Sequence, residues 1–164
     1  MPTQKEYAQV PRGERLARLE RTPDELAEAV RGRSDEALSC RPDVKSWSAK
    51  EVICHLRDLE ESFLIRIQQI MVMHEPIFIT TDPDRWADDR QYLRNDATAA
   101  RAAFRTRRGD TLEFLQKLAT ADWTRVGVHT DARGRRTIDD FLSVIAAHDD
   151  NHLGQLGRAL EGRA

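Results

Sequence analysis

Ser48-Ala49-Lys50-Glu51 opens the clearest helical segment of the chain. A serine hydroxyl can accept from the amide three residues on while the glutamate carboxylate reaches back to the serine amide. Two of the amides that a helix start leaves bare are then satisfied reciprocally. Trp47, just outside, is placed to pack on Val52 as a hydrophobic staple. Beyond this start, Val52, Leu56, Leu59, Phe63, Ile67 and Ile70 recur every three or four residues, the spacing that lines up one side of an α-helix. Pro76 ends the segment. Such a stripe is not stable alone in water, so other elements must cover it.

Helices are the expected cover, because alternating β-branched runs of useful length are missing. The short stretch Pro76-Ile77-Phe78-Ile79-Thr80-Thr81 is assigned to a connection. A first helix is read from Gly13 to Arg31, carrying Leu16, Leu19, Leu26 and Val30. A break or kink is expected at Thr22-Pro23, since Thr22-Pro23-Asp24-Glu25 is itself a helix-start pattern. A third helix is read from Asp89 to Ala119, with Leu93, Ala100, Phe104, Leu112, Leu115 and Leu118 inward and Gly109 as its weak point. Residues 123–136, containing Gly127, His129 and Gly134, read as a turn-rich connection. The last helix begins at Thr137, spaced from Asp140 as a cap. No internal repeat or linker divides the chain. The expected fold is all-α, one four-helix-bundle domain over residues 1–164.

The apolar face of the last helix runs Ile138, Leu142, Ile145, His148, His152 and Leu156. Two histidines therefore continue a core stripe, and His55 interrupts the stripe of the second helix in the same way. An unpartnered imidazole costs on the order of 1–3 kcal/mol to bury, and a divalent ion would satisfy all three together. His55, His148 and His152 are thus the candidate metal ligands, from two helices, with a coordination position left for water or substrate. Imidazole suits several ions, so Zn, Ni, Fe and Mn all stay open. His148-Asp149-Asp150-Asn151-His152 differs from the HExxH metalloprotease pattern. Asp149 stands where the glutamate base would be, and Arg158 where a third downstream histidine would be.

Other residues are read more plainly. Asp58 and Asp149 are expected at the solvated surface, with orientation of the histidines as the alternative. Gln155 either hydrogen-bonds near the site or packs between helices, His74 caps a helix end, and His129 is a solvated loop residue. Cys40 and Cys54 are read as reduced thiols, and Cys54 points away from its neighbour His55. Arg85, Trp86 and Arg90 are candidates for a mouth that admits an anionic substrate. The net charge of -2 and pI near 6.2 give no basic footprint for nucleic acid. The arginine runs at 105–108 and 133–136 are read as solvated turns. No segment approaches a membrane span and the N-terminus lacks a signal-peptide core, so a cytoplasmic location is expected.

Two pieces of the chain, residues 47–56 (Trp47 to Leu56) and residues 148–156 (His148 to Leu156), resemble the DinB-like superfamily in order and spacing. The segment from Asp122 to His129, then Gly134, is similar to that family as well. The resemblance extends from about Glu14 to Leu160 and implies a four-helix bundle, often dimeric, whose metal is held by three histidines. Those ligands fall on His55, His148 and His152. It also implies a range of activities, among them transfer of low-molecular-weight thiols such as bacillithiol or mycothiol and thiol-dependent maleylpyruvate isomerisation. The expectation is a metal-dependent thiol S-transferase acting on a small-molecule electrophile, and the resemblance implies a homodimer. A metal-dependent hydrolase and a non-catalytic metal-binding stress-response protein are the alternatives.

Overall fold

The computed structural model describes residues 2–164. In chain order these form α1 (Gln4–Tyr7), α2 (Arg12–Ala29), α3 (Asp35–Ser39), α4 (Ala49–Val72), β1 (Ile77–Phe78), α5 (Pro83–Asp89), α6 (Ala97–Gln116), β2 (Val126–His129), β3 (Arg135–Thr137) and α7 (Ile138–Leu160). Both predicted capping boxes are present, Ser48 with Glu51 on α4 and Thr137 with Asp140 on α7. The far end of α4 is closed by Arg125, whose guanidinium donates to the carbonyls of Ile70 at 3.1 Å and Met71 at 2.8 Å. A cation at a helix C-terminus also meets the negative end of the helix dipole.

The four long helices make the bundle. α4 packs on α6 and α7, and α2 packs on the same two, so α2 and α4 face each other across it. The core falls into two apolar clusters. One gathers Val52, Ile53 and Leu56 of α4 with Leu156 of α7, Leu26 of α2 and Phe104 of α6. The other gathers Phe63, Ile67 and Ile70 with Ile138, Leu142 and Ile145, Leu19 and Leu115. The first half of α4 therefore meets the last half of α7, and these two helices run in opposite directions. His55 and the pair His148 and His152 fall where one cluster gives way to the other.

Several expectations are corrected. Pro23 sits inside an unbroken α2. A proline cannot donate to the carbonyl four residues back, here that of Leu19, and Arg108 of α6 donates to that carbonyl instead at 3.0 Å. The third helix starts at Ala97 behind its cap Asp96, not at Asp89. Gln91, at φ 50°, turns the chain out of helical geometry between the two, and Leu93 is exposed. Gly109 is accommodated within α6 without a break.

Residues 76–81 and 123–136 are not merely connections, for they supply a small sheet in the order β1-β2-β3. β1 pairs parallel with β2, Phe78 opposite His129, and β2 pairs antiparallel with β3. Gly127 is required there, since a Cβ on it would lie 2.2 Å from Cε2 of Phe78. Gly134, at φ 57°, turns the β2–β3 hairpin in a conformation that side chains resist. No helix among the described residues is long and apolar enough to cross a membrane.

Candidate metal centre

Helical spacing brings His148 and His152 to one side of α7, one turn apart, opposite His55 on α4. One ring nitrogen from each of the three lies within 4.8 Å of the others. The Nε2 atoms of His55 and His148 are 3.1 Å apart. Nδ1 of His152 is 2.7 Å from Oε1 of Gln155. With the amide oxygen accepting, Nδ1 carries the proton and Nε2 keeps its lone pair for a ligand. Gln155 is thus a hydrogen-bond partner at the site.

Burial pushes all three imidazoles toward the neutral form. It lowers the pKa of His55 from 6.5 to about 3, with the charge of His152 adding to the effect. His148 lies well below the ordinary value and His152 lies below it, in both cases mainly by loss of hydration. Neutral imidazole is the form that binds a metal. The donor set also fits an ion: the Nε2 atoms of His55 and His148 face each other rather than a protein donor or acceptor of another kind, while Nδ1 of His55, on the far side of its ring, is buried with no hydrogen-bond partner among the described residues. Among the described residues no carboxylate or thiol joins the three in the cluster. Cys54 is buried with its pKa pushed up to about 11, chiefly by burial, and its Sγ lies 3.8 Å from the Tyr92 carbonyl.

The cluster opens into a cavity of about 520 Å³. Trp47 forms one wall, its ring 4.9 Å from that of His55 and stacked at 6.4 Å on that of His152. Phe63 presents an edge to His148 at 5.8 Å. Sequence reasoning gave Trp47 only a staple's role. It packs against the cluster that holds Val52 and covers the histidines as well. Of the proposed mouth, Trp86 lines the cavity, whereas Arg85 pairs with Asp89 and Arg90 stacks on Trp86 at 4.2 Å while pairing with Asp58.

The side of α7 away from the cavity is closed by charge. Asp149 is about 100° round the helix from His148 and is fully buried. It accepts from Arg108 at 2.5 and 3.0 Å and from the Thr22 hydroxyl at 2.5 Å. Arg108 also donates to Glu60 of α4 at 2.7 Å. Burial opposes the charge on Arg108, but Asp149 and Glu60 outweigh it and hold the pKa above the usual arginine value. Asp150 beside it takes hydrogen bonds from Arg18 and Tyr7, each at 2.6 Å. Asp149 and Asp58 are therefore not surface residues. Asp58 is buried beneath Arg57, Arg90 and the Tyr92 hydroxyl. Neither carboxylate hydrogen-bonds a histidine; each ties helices together instead.

His129 is corrected too. It is buried on β2 between Phe78 and Phe141, with ring centroids at 5.5 and 5.8 Å, and takes no part in the cluster. His74 is exposed beyond the end of α4. Residues 105–108, read as solvated turns, lie within α6, where Arg108 is buried and Arg107 half-buried. A paired carboxylate at Glu60, on another helix, could not be linked to Arg108 by sequence spacing.

Residues 18–156 match the family model of the DinB superfamily. The chain belongs to the DinB superfamily. It is 22% identical over 138 residues, 84% of this chain and 78% of the relative, to a Bacillus subtilis (strain 168) protein named "Putative metal-dependent hydrolase YfiT". The solved structure of YfiT, described as a probable metal-dependent hydrolase with an unusual four-helix bundle topology, superposes with a TM-score of 0.85 at 20% identity. That match covers 93% of this chain and 89% of YfiT. The shared fold is accordingly this bundle, with its N-terminal half of α4 set against the C-terminal half of α7.

Proposed function

We propose that this DinB-superfamily protein is a metal-dependent enzyme that transfers a low-molecular-weight thiol to an electrophilic small molecule. One observation carries the reading: three neutral imidazoles, with no fourth protein ligand among the described residues, converge at the base of a cavity large enough for a small molecule. His55, His148 and His152 would hold the ion, and a divalent ion there would supply Lewis-acid chemistry, holding a thiol as thiolate at neutral pH. Gln155 fixes the ring of His152, and the Arg108 network fixes the turn of α7 that carries His148. Trp47 and Phe63 exclude water from one side of the cluster.

The missing carboxylate favours thiol transfer over hydrolysis. A thiol deprotonated by coordination needs no separate base, whereas hydrolysis usually recruits one to handle the proton of water. The name carried by YfiT supports the hydrolase reading instead. Turnover of an electrophilic reporter such as monochlorobimane, followed with and without added thiols, separates them. Thiol-dependent turnover that disappears in His148→Ala is expected. Turnover of ester or amide reporters without any thiol would replace transfer by hydrolysis.

A further inference from the structure

We infer that the small molecule handled at the three histidines carries an oxyanion, such as a carboxylate, and that Arg66 is the residue that holds it. The inference rests on reading the cavity as a substrate site and adds the substrate's class. Arg66 lies on α4 in the wall between this cavity and a neighbouring one, and is only 8% exposed. Among the described residues no carboxylate lies within 4.0 Å of it. Its one hydrogen bond is a long one, 3.4 Å to the Ile79 carbonyl, and its guanidinium lies 5.7 Å over Phe78. The other buried arginines are all neutralised: Arg15 by Asp139, Arg18 by Asp150 and Glu25, Arg108 by Asp149 and Glu60. Burial and the neighbouring Arg133 hold the pKa of Arg66 below the arginine norm by more than the charge of Asp131 offsets, the mark of a charge without a paired counter-ion.

The cavity as a whole repeats the pattern. Lys45, Arg133, Arg158 and Arg163 line it against a single acidic side chain, Asp84, although the chain carries a net charge of -2. Asp131 compensates Arg133 and Glu161 compensates Arg163, while Lys45 and Arg158 make no ion pair among the described residues. A guanidinium offers five donors in a flat fork that matches an oxyanion in two contacts. Most of those donors are idle here.

Helix geometry sets the length of the ligand. Arg66 follows His55 by eleven residues, about 16 Å along the axis and nearly the same side of the helix. The arginine side chain leans back toward the helix N-terminus, which shortens the span. Leu59 and Phe63 lie between them on the cavity wall. The ligand that fits has an anionic end at Arg66, an apolar body along Leu59 and Phe63, and its reacting end at the histidines.

The test is a titration of the full chain, freed of metal and then dialysed clear of chelator, followed by tryptophan fluorescence from Trp47 and Trp86. The probes are 4-phenylbutyrate and its neutral counterpart 4-phenylbutanol. The carboxylate should bind at least about tenfold more tightly than the alcohol, and Arg66→Gln should abolish that preference while leaving the alcohol's affinity unchanged. Equal affinities in the wild type, or a preference that survives in Arg66→Gln, would overturn the assignment. Thermal unfolding of Arg66→Gln must match or exceed the wild type; a variant that unfolds would make Arg66 a structural residue and overturn it equally. Because the titration uses metal-free protein, its result is independent of the metal reading. A chain that never takes up metal but shows the Arg66-dependent preference would sink the proposed chemistry and leave the anion site standing.

Discussion

Arg66 and Arg108 are both buried, on neighbouring helices of the same bundle, and they are treated in opposite ways. Arg108 is enclosed by the carboxylates of Asp149 and Glu60 and the backbone carbonyl of Leu19, with the Thr22 hydroxyl donating to Asp149, on the closed side of α7. Arg66 faces a cavity with no carboxylate beside it among the described residues. A buried charge with its partners present serves the fold, because removing one member strands the others. A buried charge left without a partner is a cost to the fold, and such costs persist at sites where function needs them. The same division runs along α7 itself: His148 and His152 face the opening, Asp149 and Asp150 face the helices that hold α7 in place.

The sharpest way to break the comparison is Arg108→Met. It leaves Asp149 and Glu60 buried without their cation, and a loss of about 3–5 kcal/mol is expected in denaturant unfolding. A variant as stable as the wild type would mean that the closed side is not held by this network. Acid acts next, on the open side. In metal-free protein the pKa of His55 is depressed, so above pH 6.5 neither the folded nor the unfolded state binds the proton. Below 6.5 the unfolded chain takes it up while the folded chain resists until about pH 3. Stability should therefore fall as pH drops, by about 1.6 kcal/mol from this residue between pH 6.5 and pH 5. Comparing the unfolding of wild type and His55→Gln at the two pH values isolates that part; equal losses in both proteins would show that His55 is not held neutral. The smallest effect belongs to Arg66. Its substitution by Gln should shift the melting temperature by nothing or slightly upward, where Arg108→Met lowers it by many degrees.

The sequence made the open side more legible than the closed one. Helix starts announced themselves because a capping box is local: Ser48 and Glu51, or Thr137 and Asp140, need only each other. The three histidines stood out because helical periodicity placed polar rings in an apolar stripe, and the fold brings those rings together. Residues joined by tertiary structure gave no such signal. Pro23 reads as a helix break until Arg108, 85 positions later, supplies the missing donor to Leu19. Arg108 itself looks like one more charge in a solvated run, and Asp149 like one more surface acid, because their partners come from other helices. The short strands were missed because two or three residues carry no period to read. His129 was misplaced with them, since its burial depends on the pairing of β1 with β2. Arg66 carried no signal either: an arginine's lack of a partner is a property of the folded molecule alone.

The central claim is that His55, His148 and His152 form one metal site, and metal content tests it most directly. Untagged protein, purified without chelators, should be measured by mass spectrometry beside the His55→Ala and His148→Ala variants. The account predicts about one ion per chain in the wild type and almost none in either variant. A wild type that stays empty after reconstitution with Zn, Ni, Fe or Mn, or a variant that keeps its ion, would contradict it.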